Sequence, residues 1–130
     1  MKFLLLIHNN AEALQAYTEQ ELVEMSGGRE HIAELARTLL ATGELVSVLG
    51  LEEPGRPVEN VQLVGGTPVV SDRPLLETKE YLAGAMVLNC ASQQRALEIA
   101  ALIPLARFRR VEFREIRLDQ DDFLAELNES

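Results

Sequence analysis

Asp72, Glu77, Thr78 and Lys79 place two acids, a hydroxyl and an ammonium close together, and Pro74 fixes the backbone between them. This polar run, residues 71–84, lies between two apolar stretches that read as strands, and a loop held between rigid elements is a common seat for binding or catalytic groups. A carboxylate such as Asp72 can orient an imidazole and stabilise its protonated form, or act as a base itself. An aspartate before X-Pro also builds an Asx-turn, and one residue can serve both ends. Glu77 and Lys79, two apart, point the same way on an extended segment. They read as a salt-bridged latch or, with Arg73, as a substrate-binding set in which Arg73 or Lys79 holds an anion.

Imidazole is the side chain whose ordinary pKa suits proton transfer near neutrality, and the chain has two histidines. His8 closes the apolar run 2–8, where the ordinary use of a strand-end histidine is a bond to backbone. His31 lies on the polar side of the first turn of a helix expected over 29–42, where its ordinary use is solvent exposure. In a sheet whose first and third strands are neighbours, His8 comes near the loop of Asp72. Asp72, His8 and His31 are therefore the candidate catalytic residues. The histidines and scattered carboxylates lack tight ligand spacing, so no metal site is expected. Gly65-Gly66 joins two strands without a following lysine, so it is a hairpin turn, not a phosphate loop, and no cofactor is expected. Cys90 has no basic neighbour before Arg95 and reads as an inert, half-buried thiol.

The elements that must position these groups follow from pattern. The near-continuous apolar run 2–8 is that of a strand covered on both faces. Residues 9–16 read as a polar connection. Thr18 and Glu21 form a capping box for a short helix, Gly27-Gly28 break it, and Ile32, Leu35, Ala36, Leu39 and Leu40 give the 29–42 helix one apolar face before Gly43 stops it. A strand over 44–51, a Pro/Gly loop over 52–57, a Gly65-Gly66 hairpin and a strand over 81–89 come next. Ser92 caps a helix running to about 103, a strand spans 110–118, and a short acidic helix ends the chain. Setting the hairpin aside leaves β-α-β then β-α-β, the α+β ferredoxin-like arrangement with an antiparallel sheet. Its helices cover one sheet face, and a second copy is the simplest cover for the other, so a homodimer is expected.

The stretch D-R-P-L-L-E-T-K-E-Y-L-A-G from Asp72 to Gly84 resembles the D-G-P-F-x-E-T-K-E-x-x-G-G signature of the DGPF branch of the YCII-related proteins, and the opening M-K-F-L-L-L-I-H is similar to theirs. Element lengths match through about Arg117. Two positions depart: Arg73 stands for the signature's glycine and Leu75 for its phenylalanine. The resemblance implies a dimeric α/β barrel with sheets packed face to face. It also implies a cofactor-free enzyme of lyase or hydrolase type, through members that remove chloride from a hydroxylated aromatic ring. Carried over residue by residue, His31 in H-I-A-E-L matches the histidine of the family's His-Asp dyad, while His8 stands where the DGPF branch usually has tyrosine. DGPF-type domains also resemble partners of extracytoplasmic-function sigma factors, so a ligand-binding or regulatory module acting in trans is the alternative.

Composition bounds all of this. A chain of 130 residues fits one domain, a core over 1–118 and an acidic helix over 119–130. Apolar residues at 47% and charged ones at 25% exclude long disorder. A net charge of -9 disfavours nucleic acid as partner, and the arginines at 107, 109, 110, 114 and 117 read as a solvated face offset by the acidic tail. No segment suits a membrane span or signal peptide, and the single cysteine agrees with a reducing compartment, so the cytoplasm is expected.

Overall fold

In the computed structural model the described residues are 1–26, 28–52, 59–71, 80–103 and 109–129. Asp72, Arg73, Glu77 and Lys79 lie outside them, as do Gly27 and most of the Pro/Gly loop. The elements run β1 (Lys2–Asn10), α1 (Ala11–Gln15), α2 (Glu19–Ser26), α3 (Gly28–Thr42), β2 (Leu45–Gly50), β3 (Asn60–Val64), β4 (Thr67–Ser71), β5 (Glu80–Asn89), α4 (Gln93–Leu102), β6 (Arg109–Glu115) and α5 (Gln120–Glu129). One sheet has the order β2-β5-β1-β6 with all neighbours antiparallel, and β3 and β4 form a separate two-stranded sheet. This order is consistent with a ferredoxin-like α+β fold carrying a hairpin insertion.

Local chemistry sets most boundaries. Thr18 and Glu21 exchange reciprocal side-chain bonds with each other's backbone N–H, the capping box of α2. Ser92 Oγ accepts the Arg95 N–H at 3.1 Å and caps α4. Gly65 and Gly66 turn the hairpin with φ of 56° and 82°, the pair of left-handed residues a type I′ turn requires. Two boundaries differ from expectation. The connection expected over 9–16 instead extends β1 to Asn10 and then forms α1, because the Asn10 side chain accepts the Ala13 N–H at 3.0 Å and starts a helical turn. The last strand stops at Glu115, paired with Phe3, because β1 itself begins at Lys2.

Strand alternation divides the sheet into two faces. Phe3, Leu5, Met86 and Leu88 are buried on one, beneath Leu39 of α3 and Ala96 and Ile99 of α4. The Phe3 ring stacks on Phe113 with centroids 5.0 Å apart. Half-buried Leu4, Leu6, Ala85 and Val87 lie on the other face, with exposed Leu49 and Leu82. The helices thus cover one side of the apolar run, and the other side is only half-buried within this chain. Cys90 is buried, and burial raises its thiol pKa, as suits an inert cysteine.

Two ion pairs tie the periphery to the sheet. Lys2 pairs with Asp119, whose carboxylate also accepts the Asp122 N–H and so caps α5. The Arg95 guanidinium grips Glu44 at 2.7 and 2.9 Å, joining α4 to the start of β2. Arg95, then the Thr42 hydroxyl, hold the Glu44 carboxyl at about 2. A depressed folded pKa adds stability above the unfolded glutamate pKa of about 4.3, and that stability is lost as pH falls toward 2. The difference in urea midpoint between wild type and Glu44→Gln is therefore expected to hold steady from pH 8 to 5 and to shrink below about pH 4.3. A difference that stays constant down to pH 3 would exclude the linkage. The gap itself should be small, because the pair is partly exposed.

Candidate functional site

The end of β1 carries the first histidine. Pairing with β5 sets His8 opposite Leu82 and Asn10 opposite Glu80, with a bulge between Ile7 and His8 that leaves Ala83 as the extra residue. Alternation sends His8 to the open face with Leu4 and Leu6, while Ile7 and Asn9 turn toward the helices. His8 Nε2 lies 3.3 Å from Glu112 Oε1; because a carboxylate accepts, Nε2 carries the proton. Beside this pair, Arg110 holds Glu80 at 2.8 to 3.2 Å and keeps its carboxyl below the usual range. Glu112 is the partner of His8 that sequence reasoning missed, 104 residues away along the chain. Its only signal was the alternation Arg110, Glu112, Arg114 along a strand.

His31 sits across the sheet, in the helix layer. Its Nε2 donates to the Leu102 carbonyl at 3.2 Å. Leu102 ends α4, where carbonyls lack helical partners, and the imidazole supplies one. That bond fixes the neutral tautomer with the proton on Nε2, leaving Nδ1 as the basic nitrogen. The residues following each partner, Ile32 and Ile103, both line a cavity of about 520 Å³ between α3 and the sheet. Ile7, Leu35, Val48 and Met86 complete most of its apolar wall. The volume is within the range of small-molecule sites.

Arg109 is the one charged side chain among the described residues lining that cavity. It lies on the helix side of β6, paired in register with Asn9, and its Nε donates to Asn9 Oδ1 at 3.3 Å. Burial lowers its guanidinium pKa. This corrects the expectation of a uniformly solvated arginine face: it holds for Arg110 and Arg114, which are exposed and paired with Glu80 and Glu112, but Arg109 is turned inward by the two-residue period of the strand.

The two candidate histidines therefore belong to different surroundings, His8 with Glu112 on the open face and His31 beside the cavity. Asp72, Arg73, Glu77 and Lys79 lie outside the described residues; their loop leaves β4 at Ser71 and enters β5 at Glu80. Among the described residues no three His, Cys, Asp or Glu side chains cluster as a metal site, and no helix is long and apolar enough to cross a membrane.

With this geometry in hand, comparison with known proteins finds that the YCII-related domain model matches residues 1–118. The chain belongs to the YCII-related domain family. All six strands among the described residues fall within the match, which ends before α5. No curated protein matches the chain. One glycine of this YCII-related domain, Gly84, has a steric reason to be there. A Cβ at that position would meet the Leu49 carbonyl oxygen at 2.6 Å, because β2 passes against β5 at the cavity wall.

Proposed function

We propose that this protein, a member of the DGPF branch, is a cofactor-free enzyme of lyase or hydrolase type that moves a proton on a small anionic or aromatic substrate in the cavity between α3 and the sheet. His31 is the proton carrier, Asp72 the carboxylate that orients it, and Arg73, Glu77 and Lys79 contact the substrate from the signature loop. The observation that carries this reading is the His31–Leu102 hydrogen bond beside the cavity wall, which leaves Nδ1 as the base. His8, already engaged with Glu112 across the sheet, takes no part in the proton transfer. The working assembly is a homodimer in the cytoplasm, built by packing the open sheet faces of two copies.

The test is turnover of a panel of halogenated hydroxyaromatic and small carboxylic substrates, followed by chloride release and by proton loss. His31→Gln and Asp72→Asn should each lower kcat/KM by about 10²-fold or more with folding intact, the contribution of one acid–base group, while His8→Asn keeps turnover. Unchanged turnover in His31→Gln would sink the assignment.

A further inference from the structure

We propose that Gly50 sets the size limit of the cavity under α3, and that the ligand it admits has an apolar body of two or three fused rings or an aliphatic body of that bulk. The inference rests on the reading of this cavity as the substrate site and names the size class of the substrate and the residue that decides it.

Glycine in a strand gives up more conformational freedom on folding than any other residue and packs no side chain, so its presence asks for a reason. Gly65 and Gly66 have positive φ, and Gly84 has no room for a Cβ. Gly50 has neither reason: its φ is not positive, and a Cβ there would meet nothing within 4 Å. The fold accepts valine at this position, and valine is the better strand former. What lies before Gly50 is the cavity. In the ladder of β2 with β5, Gly50 faces Gly84 and Val48 faces Met86, and residues paired in this way share a face of the sheet. Met86 belongs to the core beneath the helices, so a side chain at position 50 would leave the sheet on that side, where Gly50, Val48, Gly84 and Met86 all line the cavity. A strand glycine so placed marks a close approach of ligand to backbone.

Volume gives the size of that ligand. A dry cavity of roughly 150 Å³ holds benzene. The cavity here, about 520 Å³, is more than three times as large, so one ring leaves most of its wall without contacts. Binding therefore improves with bulk until the space is filled. The wall also requires the body to be apolar: Ile7, Ile32, Leu35, Met86 and Ile103 offer no hydrogen bonds, and a polar body would lose its hydration there without replacement. Arg109 donates to Asn9, and the size limit asks nothing of its charge.

The experiment uses phenol, 1-naphthol and 1-aminoanthracene as probes of one, two and three rings, with binding followed by calorimetry and by amide NMR shifts at Ile32, Gly84 and Ile103. Wild type is expected to bind 1-naphthol and 1-aminoanthracene at least tenfold more tightly than phenol and to shift those amides. Gly50→Val should keep the urea midpoint of wild type or exceed it, weaken both larger probes at least tenfold and change phenol less than threefold. Adhesion by greasiness alone would leave Gly50→Val binding as wild type does, and that result would overturn the inference. Equal loss of all three probes in a folded Gly50→Val would overturn it too, because the residue would then not act by size. So would wild type that binds phenol as tightly as 1-naphthol, a comparison that stands even where Gly50→Val does not fold, or shifts confined to residues outside the cavity. His31→Gln is expected to bind the three probes as wild type does. Loss of turnover there with binding intact separates the two readings: the size class stands on binding and the reaction stands on His31.

Discussion

Replacing Gly84 by alanine is expected to destabilise the fold by about 1–3 kcal/mol, the range for inserting a methyl group where no room exists. The added Cβ would meet the Leu49 carbonyl oxygen at 2.6 Å, and that oxygen belongs to the backbone of β2, so no side-chain rotation relieves the clash. Either β2 moves away from β5 or the β5 backbone tilts, and both disturb the pairing of Gly50 with Gly84 and Leu49 with Ala85. Gly50→Ala is the control. Gly50 faces Gly84 in the same ladder, but a methyl group added there would meet nothing within 4 Å, so the change should cost no more than the few tenths of a kcal/mol typical of a tolerated surface change. Urea midpoints of the two variants decide the matter: equal losses would show that the strand spacing yields to the methyl group. The Gly84→Ala substitution also narrows the cavity, since Gly84 is part of its wall.

The second large effect concerns assembly. Wild type is expected to sediment as a dimer and Leu6→Lys as a monomer with unchanged circular dichroism. Leu6 lies at the middle of the open sheet face, between Ala85 of β5 and Glu112 of β6 in register. A lysine there would force an ammonium out of water at the centre of the contact, where the effective desolvation penalty of an ion is several kcal/mol. Within one chain the same lysine reaches water and has the Glu112 carboxylate beside it, so the subunit stays folded. A wild-type protein that sediments as a monomer at tens of micromolar would overturn the homodimer. A dimeric Leu6→Lys would move the interface to another surface.

Much of the fold was legible because it rests on short-range chemistry. The capping box of Thr18 and Glu21, the Ser92 cap and the paired glycines of the hairpin each act over four residues or fewer, and each does what its residue types demand. The near-continuous apolar run 2–8 likewise located the central strand. The candidate site was harder to read, because its decisive contacts join distant parts of the chain. His31 meets Leu102 across 71 residues, and no local pattern announces a carbonyl waiting at the end of a later helix. Arg109 was hidden among arginines of the same type. Strand phase separates it from Arg110, and that phase depends on which residues of β6 pair with β1. The boundary between residues 9 and 16 went astray for a smaller reason: Asn10 ends a strand and caps a helix at once, and two adjacent asparagines look like a turn.

The strand order carries a consequence for synthesis. Each of the three pairings in the four-stranded sheet, β2 with β5, β5 with β1 and β1 with β6, includes a strand that begins at Glu80 or later. A ribosome that has translated the first seventy-nine residues has therefore made two strands of this sheet and none of its hydrogen-bonded ladders. The apolar run from Phe3 to Ile7 spends that interval with unsatisfied edges, the condition in which nascent chains recruit chaperones or pair with one another. The β2-β5-β1 part of the sheet therefore has to wait for β5, which pairs on both sides, and β6 adds to β1 only after Arg109.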